Sequence, residues 1–173
     1  ETAWQIVDDH CKPGGSEGPP LNILTDTVSI LHRATLAGIP IAPERWQEIS
    51  AYAAAKFPNS GLAFADIHAA LAHCMAGNDD AYETLTRQAA GPAADIVSTV
   101  WDGFHAFAAE DWDAVEVHLG AAMYTHERLG GSRAQRDLLE FSLAHAMQRR
   151  GKQQNAARLI AMRRPRQTEL ANI

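Results

Sequence analysis

An all-α protein is the fold class this sequence predicts, and three observations predict it. Apolar side chains recur in steps of three and four between breaks made of glycine and proline, which is the period of a helix and not of a strand. Alanine, the strongest helix former, is abundant along the whole chain. Long β-branched or alternating runs, the mark of strands, are missing.

The elements follow in order. Residues 2–11 read as a helix with Trp4, Val7 and Cys11 on one face. Residues 12–20 are nearly all turn formers and make the clearest internal boundary. A helix over 22–37 aligns Leu24, Val28, Leu31 and Thr35; Gly38 ends it and Pro40 keeps it from resuming. Pro43 suits the first position of the next helix, whose inner face is Trp46, Ile49 and Ala53, and Phe57-Pro58-Asn59 breaks it near Lys56. Residues 60–76 carry the stripe Phe64, Ile67, Leu71, Cys74 and Met75, and Gly77-Asn78-Asp79-Asp80 turns into a helix over 81–90. After Gly91-Pro92, Val97, Val100, Phe104 and Phe107 line the next helix. From Trp112, the stripe Trp112, Val115, Leu119, Ala122, His126 and Leu129 predicts one helix of about five turns. Gly130-Gly131 stops it, and Ser132 with Gln135 three residues on forms a capping box for a helix over 132–150 with Leu139, Leu143 and Ala146 inward. Gly151 leads to a last helix over 153–164, ended by Pro165, with residues 166–173 expected to fray.

The turns at Gly38, Gly77, Glu110 and Gly151 lie 39, 33 and 41 residues apart, with two helices per interval. That period predicts an irregular tetratricopeptide-like helical-repeat solenoid of antiparallel helix pairs. The organisation expected is an N-terminal helix over 1–11, a remnant of a preceding repeat; a linker over 12–21; a repeat domain over 22–165; and a tail over 166–173. Several stretches stand out: Leu24-Thr25-Asp26-Thr27-Val28-Ser29-Ile30-Leu31-His32-Arg33, Arg45-Trp46, Phe64-Ala65-Asp66-Ile67-His68-Ala69, and Phe107-Ala108-Ala109-Glu110-Asp111-Trp112. On them the chain resembles the C-terminal part of the tetratricopeptide repeat protein 38 family. Most specific is Gly130-Gly131-Ser132-Arg133-Ala134-Gln135-Arg136-Asp137, where the family motif has His in place of Arg133. The resemblance implies a helical-repeat fold and no defined activity. Together with a first residue that is Glu1 rather than Met, it leads us to expect a piece of a longer protein.

Composition excludes more than it assigns. Cys11 and Cys74 make neither a disulfide framework nor a metal-ligand spacing. No stretch reaches the roughly 18 apolar residues of a membrane span, and no signal pattern opens the chain, so no membrane association and a cytoplasmic location are expected. The formal charge of −6 hides a split. Residues 1–127 hold 5 Lys and Arg against 18 Asp and Glu, a net −13, and residues 128–173 hold 10 against 3, a net +7. A solvated basic face or docking between the halves explains this better than nucleic acid, which the acidic remainder would repel. No nucleic-acid partner is expected.

Eight histidines raise the question of metal or acid–base chemistry. Their spacing does not support it: His68 and His73 are five apart and His118 and His126 eight apart, where a helical zinc pair needs i and i+4. No cofactor and no metal are expected. His126, on an apolar stripe, reads as a core side chain bonded to a backbone carbonyl. Trp101 and His105, one turn apart, could stack and line a groove. Arg133 and Arg136 flank a helix N-terminus that suits an anion, although the capping box there uses the same N–H groups. No nucleophile elbow, phosphate loop or dinucleotide fingerprint occurs.

The expected function is a non-enzymatic scaffold holding a protein or peptide in a concave groove built from successive first helices. The alternative is a small-molecule or enzymatic site near Asp66, His68, Trp101, His105 and Arg136. The Trp4 face must also be covered. A homodimer through the N-terminal helix is expected, with a fold-back onto the 22–56 hairpin as the rival.

Overall fold

The computed structural model describes residues 2–59 and 61–163. Among them run the helices α1 Ala3–His10, α2 Pro20–Leu36, α3 Pro43–Lys56, α4 Ala63–Ala76, α5 Asp79–Arg87, α6 Ala94–Ala108, α7 Trp112–Ala122, α8 Arg133–Arg149 and α9 Gln153–Arg163, with a 3₁₀ turn at His126–Leu129 and no strand. None is long and apolar enough to cross a membrane. Pro165 and the 166–173 tail lie outside the described residues.

Most boundaries fall where the breaks put them, and the differences have local causes. α2 starts at Pro20, two residues before the expected position, because proline at the first helical position forfeits only an N–H that has no helical partner anyway. α4 starts at Ala63, since Gly61 has φ +64° and cannot belong to a right-handed helix. α5 starts at Asp79 because the Asn78 side chain accepts the Ala81 N–H at 3.2 Å and caps it there.

The five-turn helix expected from Trp112 to Leu129 is not formed: α7 ends at Ala122. The chain turns, and His126–Leu129 becomes a 3₁₀ segment whose i, i+3 side chains eclipse, so His126 and Leu129 still both face inward. Arg128 explains the break. Its guanidinium takes both oxygens of Asp95, at 2.7 and 2.8 Å, and the Pro92 carbonyl, drawing the segment across to the start of α6. As expected, His126 is buried and its Nδ1 donates to the Met123 carbonyl at 3.0 Å.

The Gly130-Gly131-Ser132 turn then works as a unit. The Ser132 hydroxyl accepts the Gln135 N–H at 3.3 Å, and the Gln135 side chain accepts the Ser132 N–H at 2.7 Å. Gly131 makes room for this. A Cβ there would lie 2.8 Å from Gln135 Oε1 and 3.1 Å from Phe64, and its φ of +71° is itself left-handed. Ser132→Ala removes one half of the box and is expected to lower stability by about 1 kcal/mol. An unchanged urea midpoint would show that the turn is held by Gly131 and Phe64 alone.

The four expected repeat turns share one conformation. Gly38, Gly77, Glu110 and Gly151 have φ of +72°, +65°, +55° and +75°. In each, the next residue's N–H reaches the carbonyl five back: Ile39 to Ala34, Asn78 to His73, Asp111 to Ala106 and Lys152 to Met147, at 2.8–3.0 Å. Among the described residues Glu110 is the one non-glycine with positive φ. Its carboxylate lies 3.8 Å from Arg149.

Helices α2, α4, α6 and α8 form the inner layer, with α3, α5, α7 and α9 outside. Leu24, Val28 and Leu31 of α2, Ile67 and Leu71 of α4, Val100 and Phe104 of α6, and Leu139 and Leu143 of α8 face one another. α8 also docks on α2: His32 meets Ser142, Arg33 donates to the Ala134 carbonyl, and Gln135 reaches Thr25. The inner faces expected to line a groove are therefore core.

Two other expectations resolve here. The basic second half docks on the acidic first half. Arg150 pairs with Asp113 and Glu116, Lys152 with Glu116 at 2.8 Å, and Arg128 with Asp95. The N-terminal helix folds back. Arg45 lies 4.6 Å over the Trp4 ring and holds Asp8 through two hydrogen bonds of 2.8 and 3.0 Å, while Thr27 donates to the Cys11 carbonyl. Within the single chain this is the fold-back arrangement, with Trp4 half-buried.

Candidate functional site

The residues singled out in the sequence go to separate places. Asp66 and His68 are buried in α4, and Trp101 is buried in α6 with its indole N–H donating to the Asp66 carbonyl at 3.2 Å. Trp101 does not share a groove with His105. His105 is exposed and stacks on Tyr82 of α5, with ring centroids 5.4 Å apart and planes at 27°. Arg133 and Arg136 border a concavity of about 310 Å³ with Glu140 and Met162. There Arg136 donates to the Gly131 carbonyl at 2.7 Å, and the capping box occupies the N–H groups an anion would need.

Sequence spacing missed three buried serine–histidine pairs, because their partners are far apart in the chain. His68 donates through Nδ1 to the Phe64 carbonyl and accepts the Ser29 hydroxyl at Nε2, at 3.3 Å. His73 Nδ1 lies 2.8 Å from Ser50, which also receives the Asn78 amide at 3.1 Å. The Ser142 hydroxyl donates to the Leu138 carbonyl, so His32 donates to Ser142 through Nε2, at 2.7 Å. The one available signal was a serine on an otherwise apolar stripe, such as Ser142 between Leu139 and Ala146. Burial holds these imidazoles neutral, pushing His32 down to about 3 and His68 and His73 down to about 4. Burial likewise raises the Cys74 thiol to about 12, which leaves it unreactive. Ser29, Ser50 and Ser142 are themselves buried, so the pairs are internal struts and not exposed nucleophiles.

One group of outward-facing side chains lies around α6. A cleft of about 490 Å³ opens between α5 and α7. Asp102, His105, Ala106 and Ala109 recur at one helical face along α6 and its end. Asp111, Ala114 and His118 line the α7 side and Tyr82 the α5 side. Small alanines leave the space, and Gly103 narrows the α6–α7 contact enough to bring His118 Nδ1 to 4.0 Å from Asp102. Asp111 caps α7 by accepting the Ala114 N–H at 3.1 Å. Among the described residues neither Lys nor Arg lines the cleft, and burial beside Cys74 and Asp102 raises the Tyr82 phenol, keeping it protonated. Among the described residues, no group of three or more His, Cys, Asp or Glu is placed to hold a metal ion.

Among the described residues, helices packed on one apolar core without a strand define an all-α protein. Comparison with protein-family models, with curated proteins and with solved structures gives no match.

Proposed function

We propose that the chain is a helical-repeat scaffold without catalytic activity, binding an extended segment of a protein or peptide in the cleft between α5 and α7. In this reading α2–α3, α4–α5, α6–α7 and α8–α9 are four units of an irregular tetratricopeptide-like array, curved until the first and last inner helices touch. The identical left-handed closures at Gly38, Gly77, Glu110 and Gly151 support equivalent units. The Gly130–Asp137 motif supports kinship with the tetratricopeptide repeat protein 38 family.

The observation that carries the reading is the cleft itself. It is open, runs along one face of α6, and is floored by alanine between aromatic and acidic side chains. The buried serine–histidine pairs, by contrast, spend their polar atoms on the protein interior. Selection from a random peptide library is expected to return sequences whose binding is lost on Ala109→Trp, which fills the cleft from an exposed position. Peptides that bind the Ala109→Trp protein equally well would overturn this site.

A further inference from the structure

The protein twice seats an arginine in one arrangement, a guanidinium over an aromatic ring with a carboxylate beside it. Arg45 lies 4.6 Å over Trp4 and bonds both oxygens of Asp8. Arg149 lies 5.1 Å over Trp112 with Glu110 at 3.8 Å. The arrangement works because a planar, weakly hydrated guanidinium satisfies a ring face and a carboxylate at once, which an ammonium does less well.

The cleft on α6 repeats this arrangement without the arginine. Tyr82 and His105 supply stacked rings, Asp102 and Asp111 supply carboxylates, and among the described residues no Lys or Arg lines it. Asp102 has His118 as its ion-pair neighbour, at 4.0 Å, and the Asp111 cap uses Oδ1. The cations at the end of α8 and just beyond it are already engaged: Arg149 with Glu110, Arg150 with Asp113 and Glu116, Lys152 with Glu116. Resting on the cleft as the binding surface, we propose that it selects its partner through one arginine, seated against the Tyr82–His105 pair and between Asp102 and Asp111. The occupant is thus an arginine-bearing segment of another protein.

The probe is a blocked peptide with one arginine between glycines, compared with the same peptide carrying citrulline, which keeps the shape and removes the charge. NMR of the full chain is expected to show saturable shifts of the Tyr82, His105 and His118 rings with the arginine peptide at millimolar concentration, and none with citrulline. Asp102 is exposed, so Asp102→Asn is expected to keep the fold by circular dichroism. It should weaken the peptide about tenfold, the worth of a charge-assisted hydrogen bond. Equal binding of citrulline, saturable shifts centred on Arg133 and Arg136 instead, or no saturable shift would each overturn the proposal. So would a dimer that Asp102→Asn dissociates, which would make the occupant a second copy. Library peptides that need the cleft but contain no arginine would leave the scaffold reading standing and remove this one.

Discussion

Acidification from about pH 7 to about pH 5 is expected to destabilise the protein strongly, well above the pH at which its carboxylates protonate. His32, His68 and His73 are buried and neutral, with folded-state values of about 3, 4 and 4 against 6.5 for a free imidazole. Between those limits the unfolded chain takes up protons that the folded chain refuses, so stability falls as pH falls. It is fully present above the unfolded value. Each imidazole removes about 1.4 kcal/mol per pH unit, so by about pH 5 the three together cost about 6 kcal/mol. A domain this size has about 5–15 kcal/mol to lose. His145, also lowered chiefly by burial, acts in the same direction. The lowered carboxyls of Asp8 and Glu116 add their loss only at more acid pH. Helical signal followed against pH, with the protons taken up counted by potentiometry, checks this. A single transition confined below about pH 4 would show that the histidines do not carry the acid sensitivity.

Gly103→Val is expected to be the most damaging single substitution near the cleft. α6 and α7 touch at Gly103, where even a Cβ would lie 2.3 Å from Leu119 Cδ2 and 2.7 Å from its Cγ. Leu119 is fully buried, so its side chain can make room only by moving against the packed core. A valine there overfills the contact and is expected to cost about 3 kcal/mol, the upper range for overpacking. Gly103→Ala gains about 1 kcal/mol of helix propensity but meets the same clash, so it too is expected to destabilise. Gly120→Ala is the contrast: nothing lies within 4 Å, and the propensity gain should appear as stabilisation. Urea midpoints separate the three. Gly103→Val within about 0.5 kcal/mol of the parent would show that the helices slide apart freely.

How much of this was legible depended on distance along the chain. Helix limits were readable because their causes are local: Pro43 at a helix start, Phe57-Pro58 at a helix end, Ser132 with Gln135 at a cap. The end of α7 was not, because its cause is Arg128 reaching back 33 residues to Asp95. The docking of α8 on α2 joins His32 to Ser142 across 110 residues, and no periodicity encodes that. The cleft was half legible. His105 was singled out, but for a stack with Trp101, and its true ring partner, Tyr82, lies on another helix. The charge split pointed first to a solvated basic face and only second to docking of the halves; Arg150 on Glu116 is docking, and no local pattern announces it.

The contact between α2 and α8 also sets a limit on growth. In an open array each unit touches only its neighbours, so a lineage lengthens or shortens the molecule by gaining or losing pairs. Here the first inner helix touches the last, through Thr25, His32 and Arg33 on one side and Ala134, Gln135 and Ser142 on the other. Another pair inserted between α4 and α6 would carry α2 away from α8 and leave both inner faces in water. α5, by contrast, buries little beyond Leu85, so the outer wall of the cleft is the part of the packing least tied to the rest.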